Sequence, residues 1–310
     1  MPFNKYYHNE SVTKQGDYTG VRKNDYLGRR FQISLSYRFG KLKASVKKTE
    51  TTIENNDVVG GITKGQKQCK MSKQNIIIIG ATSGIGRTLF KKYATNSNRI
   101  GIVGRRTHLL DELRQEHLDT TVTATADITK ENEIAQAIDA LHSELKHVDL
   151  AIVCSGTGDI NASLDYAVER PTIDTNITGW TFVIDRLYNI FEQQNHGHLV
   201  AITSAGGLRG EPIAPAYSAS KAYQINYMEA LRKKAYKSGN HIHVTDIRPG
   251  LVDTAMAKGE GLFWVMPVEK VANQIITAIR KCKSKAYVTK RWHVLAIINK
   301  NLPFELYKKM

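Results

Sequence analysis

The stretch NIIIIGATSGIGRTLFKKY, residues 75–93, limits what this chain can fold into more than any other. Ile76–Ile79 form a run that is apolar on every side. A strand can be that apolar only if both of its faces are covered, as they are for a central strand of a parallel sheet. The run stops at Gly80, and a helical pattern begins at Ile85. Between them Gly80, Gly84 and Gly86 are spaced G-x-x-x-G-x-G. Strand, glycine turn and helix start, in that order, make a cradle for phosphate. Glycine lets backbone approach the anion, and the first helical N–H groups and the positive dipole end point at it. Ser83 and Arg87 are placed to add side-chain contacts. The alternative for the loop taken alone is an ordinary strand-to-helix turn.

The rest of the chain repeats the alternation. Strand-like runs IGIV (100–103), TVTATAD (121–127), VDLAIVCSG (148–156), HLVAITSA (198–205), HIHVTDI (241–247) and KAYV (285–288) are separated by helical patterns. Among those helices, residues 130–145 carry Ile134, Ala137, Ile138 and Leu141 on one face, and longer ones cover about 174–194 and 215–237. Strands alternating with helices predict an α/β fold with a doubly wound parallel sheet of about seven strands. Ligands of such sheets bind beyond the carboxyl ends of the strands, so the chemistry is expected there.

At the end of the second strand, an acidic residue would accept from the ribose 2′-OH of NAD. This chain has VGRRTH, and Arg105 and Arg106 offer forked cationic donors suited to a 2′-phosphate. NADP(H) is therefore the expected cofactor, with a solvated basic loop as the alternative. Asp127, after the third strand, is read either as an acceptor for the adenine amine or as a helix N-cap. Farther on, YSASK puts Tyr217 and Lys221 at i and i+4 on one helix face. A tyrosine with its ordinary pKa near 10 is a poor acid–base catalyst at neutral pH, and an adjacent cation lowers it. Ser204, at the end of the fifth strand, can hydrogen-bond a carbonyl oxygen as charge develops on it. Asn176 lies in the long helix after the fourth strand, where a buried amide can hold a water that relays protons toward Lys221. Each residue alone has an ordinary reading as a surface or capping group. Their joint occurrence behind the glycine loop does not.

With these residues in view, 74 to about 285 resembles the short-chain dehydrogenase/reductase family in its single-domain, classical branch. The residues that carry the likeness are Gly80, Gly84 and Gly86, Asp127, Asn176, Ser204, Tyr217, Lys221, and RPGLVDT with Pro249, Gly250 and Thr254. The resemblance implies a Rossmann fold and reversible hydride transfer between NAD(P) and an alcohol/carbonyl pair. It implies Tyr217 as acid/base, Ser204 polarising the carbonyl, and Lys221 binding the nicotinamide ribose. Asn176 would complete the relay and Thr254 would hold the carboxamide. The cofactor set expected is Gly80, Ser83, Gly84, Ile85, Gly86, Arg105, Arg106, Asp127, Gly156, Tyr217, Lys221, Pro249, Gly250 and Thr254. Two positions depart from the family pattern. The usual Thr-Gly of the loop is Ile79-Gly80. The usual Asn-Asn-Ala-Gly after strand four is Val153-Cys154-Ser155-Gly156, which removes an asparagine that braces the sheet. Cys154 reads as a small buried side chain. A second class of function, a dinucleotide-binding sensor without turnover, is disfavoured by the intact Asn-Ser-Tyr-Lys set.

The net charge of +15 sits at the two ends. Residues 1–70 hold 14 Lys/Arg against 6 Asp/Glu, residues 280–310 hold 9 against 1, and the stretch between is near neutral. A nucleic-acid partner is not expected, because no recognition motif accompanies the charge. Three widely spaced cysteines point to neither a disulfide framework nor a metal site, and to a reducing, cytoplasmic location. Residues 1–70 are expected to be an extension, disordered or a lone hairpin, with the enzyme domain at 71–310. Within them FQISLSYRF (31–39) alternates apolar and polar residues with period two. Together with the tail that follows it, this segment resembles the last strand of outer-membrane β-barrel receptors of the TonB-dependent type. A single strand cannot close a barrel, so the extension reads as the end of an upstream coding region joined ahead of a start at Met71. At the other end, KRWHVLAIINKNLPFELYKKM is basic and aromatic. It is read as packing on the body or on a partner subunit, covering an apolar pocket, or lying on an anionic membrane surface. GEGLFWVMPVEK (259–270), where the family keeps its substrate lid, carries Phe263, Trp264 and Met266. These point to a hydrophobic carbonyl or alcohol substrate. A homo-oligomer is expected through the helices around 174–194 and 215–237.

Overall fold

The computed structural model describes residues 6–15, 18–27, 73–257 and 264–309. The chain divides into two compact units, Met1–Ile62 and Thr63–Met310. In the first, β1 (Tyr6–Gln15) and β2 (Tyr18–Leu27) pair antiparallel, from Tyr6 opposite Leu27 to Gln15 opposite Tyr18. The alternating segment 31–39, its barrel-like tail and the junction at Met71 lie outside the described residues.

The second unit is built on a seven-stranded, wholly parallel sheet. Its strands are β3 (Asn75–Ile79), β4 (Arg99–Gly104), β5 (Thr121–Thr125), β6 (Leu150–Val153), β7 (His196–Ile202), β8 (His241–Pro249) and β9 (Lys285–Val288). The order across the sheet is β5-β4-β3-β6-β7-β8-β9. The chain reverses direction of growth between β3 and β6, and a crevice opens beyond the carboxyl ends of those two strands.

The isoleucine run explains the layers. Side chains alternate across a strand, so Ile77 and Ile79 enter one core and Ile76 and Ile78 the other. On the first side they meet Ile134 and Ile138 of α3 (Glu131–Leu145) and Trp180 and Ile184 of α5 (Trp180–Gln194). On the second side they meet Leu89 and Phe90 of α1 (Gly84–Ala94), Leu110 of α2 (Thr107–Gln115), and Val271 and Ile275 of α7 (Val268–Arg280). All four isoleucines are fully buried. At about 1.5–3 kcal/mol for each such side chain, the four together contribute on the order of 10 kcal/mol of burial.

The long helix after β6 starts earlier than its sequence pattern indicates. Asp165 caps it by accepting from the Ala167 N–H at 2.9 Å, and α4 runs Tyr166–Ile173. It then widens into a π-helical segment, Asp174–Gly179, before continuing as α5. The 24-residue α6 (Pro215–Ser238) opens on a proline and closes on Gly239 in the left-handed conformation. After β9 come α8 (Lys290–Asn301) and a short α9 (Phe304–Tyr307). No helix among the described residues is long and apolar enough to cross a membrane.

Candidate active site

A cavity of about 700 Å³ opens at the carboxyl ends of β3 and β6. All sixteen residues expected at the site except Asn176 line it.

The glycine loop forms its floor. Gly80 has φ +85°, a conformation open to glycine at little cost. Its N–H and that of Ala81 both donate to the Val103 carbonyl, at 2.8 and 3.1 Å, which ties the loop to β4. A Cβ on Gly86 would lie 2.1 Å from the Gly80 oxygen, so the first turn of α1 packs directly on loop backbone. Ser83 occupies the N-cap position in extended conformation but its side chain makes no cap bond. Ser83 and the first residues of α1, Gly84, Ile85 and Gly86, line the cavity.

The arginines diverge. Arg106 donates from Nη2 to Thr82 Oγ1 at 2.9 Å, which holds it against the glycine loop. Arg105 reaches Asp127 at 3.5 Å with its side chain 72% exposed. Asp127 does not cap α3, whose N-cap is Lys130. Instead Oδ1 accepts from both the N–H and the hydroxyl of Thr129 at 2.9 Å. Burial is the largest single influence and pushes the carboxyl up, but the Thr129 bonds and Arg105 together outweigh it and hold the carboxyl below its ordinary value.

The catalytic candidates meet on the far wall. Tyr217 packs against Gly158, where a Cβ would come within 2.3 Å of its ring. Ser204 Oγ accepts from the Gly206 N–H at 3.0 Å, which leaves its own proton to donate. Burial pushes the Tyr217 phenol above its ordinary value, and the hydrogen bond from Ser204 pulls it down. The expected depression of Tyr217 by Lys221 is not what this arrangement produces. The ammonium lies 5.8 Å from the ring centroid and donates elsewhere, to Gln224 Oε1 at 3.0 Å and the Ile202 carbonyl at 3.4 Å. Desolvation dominates for both partners, and Lys221 itself is drawn down to about 8 in spite of Asp246 and Cys154.

Asn176 departs furthest from expectation. It lies in the π segment and is fully buried, and its amide is already engaged. Oδ1 accepts from the Thr157 N–H at 2.8 Å, and Nδ2 donates to the Thr157 carbonyl and Ser220 Oγ at 2.7 and 3.0 Å. The side chain that was to hold a relay water instead braces the loop after β6. Bracing by Asn176 reaches the segment where the family's own asparagine is missing. Gly156 makes room for this, since a Cβ there would sit 3.3 Å from Asn176 Oδ1 and 3.2 Å from Lys221 Nζ. Cys154 is half-buried and lines the cavity rather than sitting inside the core, and desolvation raises its thiol to about 12.

On the last wall, Thr254 faces the glycine loop. A Cβ on Gly84 would lie 3.2 Å from its methyl group. Gly250 presents one side to the cavity, while its other side is covered by Trp292 of α8, 2.0 Å from where a Cβ would be. Arg209 stacks on Tyr307 and bonds the Leu302 carbonyl, and Tyr307 Oη donates to the Gly210 carbonyl at 2.6 Å. The C-terminal segment thus packs on the body by one face. Val294, Ile297 and Ile298 on the other face, and Phe304 and Leu306 beyond, are exposed. Of the lid residues, Trp264 is 45% exposed, Met266 bridges to Val252, and Phe263 lies outside the described residues.

Gln224, Thr157, Ser220 and Thr82 were not anticipated. Gln224 had a signal. Tyr217, Ser220, Lys221 and Gln224 fall at i, i+3, i+4 and i+7, a polar stripe along the face that α6 buries. A polar stripe where burial demands apolar residues marks a functional face.

The family model for short chain dehydrogenases matches residues 74–262. An uncharacterized oxidoreductase of Myxococcus xanthus is 35% identical over 192 residues, 60% of this chain and 75% of that protein. One from Staphylococcus epidermidis is 28% identical over 214 residues, 68% of this chain and 92% of that one. A short chain dehydrogenase from Burkholderia cenocepacia in complex with NADP superimposes with a TM-score of 0.68 at 19% identity. It covers 78% of this chain and 98% of its own.

Proposed function

The chain belongs to the short-chain dehydrogenase family of oxidoreductases, and we propose that within it the protein is an NADP(H)-dependent enzyme interconverting a hydrophobic carbonyl compound and its alcohol. Members of the family bind NAD(P) and act on small molecules. The observation that carries the finer reading is the convergence on one cavity of the glycine loop, two arginines, Ser204, Tyr217 and Lys221.

The residues fit the dinucleotide. Gly80 and Gly86 leave backbone bare where a side chain would fill the cradle, and α1 aims its first N–H groups there. Arg106, held by Thr82, and the exposed Arg105 would hold the 2′-phosphate, and Asp127 would accept from the adenine amine. Pro249, Gly250 and Thr254, which line the same cavity, would hold the nicotinamide end. When bound, the cofactor supplies or accepts the hydride. Tyr217 gives its phenolic proton to the substrate oxygen during reduction and takes it back during oxidation. Ser204 donates a hydrogen bond to the same oxygen, which stabilises the charge that develops there. Lys221, with two of its donors held by the Ile202 carbonyl and Gln224, would offer its third to the nicotinamide ribose. Met256 and Leu251 in the cavity wall support an apolar substrate. The exposed apolar face of α8 lies among Arg291, Lys300, Lys308 and Lys309, which supports contact with an anionic bilayer surface. Homo-oligomerisation through α5 and α6 and a cytoplasmic location complete the reading.

NADPH oxidation with a panel of aromatic and aliphatic ketones and aldehydes, run beside Tyr217→Phe, tests the reading. Turnover is expected to fall about a thousandfold in the variant, a typical range for losing a general acid. Turnover unaffected by the substitution excludes this mechanism. NADPH binding without turnover on any substrate favours the sensor. Light scattering reads the oligomer. Sedimentation with phosphatidylglycerol vesicles, against phosphatidylcholine vesicles, reads the membrane contact.

A further inference from the structure

Lys221 is 4% exposed, and its ammonium has two acceptors within the protein, the Ile202 carbonyl at 3.4 Å and Gln224 Oε1 at 3.0 Å. The shorter bond is to a side chain three residues along the same helix. Gln224 is fully buried, and the other end of its amide donates from Nε2 to the Asn176 backbone carbonyl at 2.9 Å. That carbonyl stands in the π-helical segment. The Trp180 N–H, the ordinary partner four residues on, passes over it to Thr175 and Ile177. A π turn inside a helix is costly and marks function more often than accident. Here it presents a backbone oxygen to α6, and one glutamine links that oxygen to the lysine.

We propose that Gln224 is a positioning residue that pins the Lys221 ammonium to the Asn176 carbonyl and keeps it charged beside Tyr217. The inference rests on the roles given above to Tyr217 and Lys221. An amide is suited to the task in a way that a mobile polar group is not. It accepts from the cation and donates to the carbonyl at once, in fixed orientation, and it does not release a proton at any working pH. The link therefore holds Lys221 without passing protons to Asn176. Other charged and titratable groups face the ammonium. Asp246 of β8 is already bound by Arg248 at 2.7 Å and Thr203 at 2.6 Å, Cys154 follows β6, and Tyr217 lies on α6 itself. Burial draws the lysine down to about 8 against Asp246 and Cys154, so near neutral pH its charge responds to the groups that hold it.

The experiment measures kcat and KM for NADPH across pH in full-length protein. Gln224→Met keeps the volume and deletes both hydrogen bonds. The lysine then loses an acceptor and neutralises at lower pH, so the alkaline limb of the kcat–pH profile is expected to move about one pH unit to the acid side, with kcat at pH 7 about tenfold lower. Gln224→Glu covers the case in which the Met variant does not fold. Its carboxylate favours the ammonium, and the limb is expected about one unit to the alkaline side. A limb unmoved within about 0.3 unit in a folded variant overturns the proposal, since a merely structural glutamine would alter stability and leave this titration alone. Wild-type turnover in Tyr217→Phe would instead overturn the functional reading on which it rests.

Discussion

Gly86→Ala puts a single methyl group at the tightest point of the phosphate cradle. Its Cβ would sit 2.1 Å from the Gly80 oxygen, 3.0 Å from the Gly80 carbon and 3.3 Å from the Ala81 Cα. All three are backbone atoms, so no side chain can rotate away. Relief requires α1 and the loop to separate by about 1 Å, and a packed interior resists such a shift. Neither partner is free to move. The loop is tied to Val103 by two backbone bonds, and α1 is seated in the core by Leu89, Phe90 and Tyr93. Overpacking of this kind costs about 1–3 kcal/mol, and for a domain of this size each kcal/mol lowers Tm by about 2–4 °C. The effect on binding should be larger, because the N–H groups that meet the phosphates move with α1, and a misplacement of about 1 Å costs on the order of a hundredfold. Thermal melting and fluorescence titration with NADPH measure the two quantities. Gly210→Ala is the control, since a Cβ there meets nothing within 4 Å, and it should match wild type in both. Gly86→Ala protein that binds NADPH within about threefold of wild type would refute the cradle, because a loop loose enough to absorb the methyl is not a preorganised anion site.

Three further outcomes are expected. Replacing Arg105 and Arg106 together by alanine should weaken NADPH binding by about 30-fold or more and NADH binding by less than about threefold, from charge-assisted bonds worth about 1–2 kcal/mol each when partly exposed. Parallel titrations with the two cofactors check it, and equal losses would mean that the arginines do not read the 2′-phosphate. Lys221→Met should raise stability at pH 7, since burial lowers the lysine from 10.5 to about 8. The unfolded state binds the extra proton between those values, so wild-type stability rises with pH across that window, by up to about 3 kcal/mol, and the gap between variant and wild type should narrow there. Melting curves from pH 7 to pH 10 would contradict this if the gap stayed constant. His198 is buried and donates from Nε2 to Thr245 Oγ1 at 2.8 Å, with the threonine proton given to the Lys283 carbonyl. Burial, with His243 nearby, lowers its pKa to about 3. The unfolded chain therefore binds more protons below about pH 6.5, and stability should fall as pH drops, by up to about 1.4 kcal/mol per unit. His198→Gln should flatten that slope in urea melts.

The order of strands and helices was legible because both periods are local. The four isoleucines demand two covered faces, and α3 shows its apolar face within one stretch of sequence. Every residue of the glycine loop and of the Ser-Tyr-Lys set is marked by spacing along the chain, and these residues line one cavity. Tertiary contact decided what spacing cannot express. Asn176 was identified, but its amide closes on Thr157 and Ser220, 19 and 44 residues away, and its backbone oxygen goes to Gln224. The widened π turn depends on that packing and leaves no periodic trace in DTNITG. Gly250 was read as a cofactor contact alone, yet Trp292 covers its other side from the far end of the chain. The charge state of Tyr217 turns on the same distant contacts. The i, i+4 spacing brings a cation near a phenol, but desolvation, set by everything folded around them, outweighs that pair. Sequence alone determined which groups are present and which face of an element each occupies. The folded structure determined which hydrogen bonds they have left to offer a ligand, because that depends on neighbours supplied from everywhere in the chain.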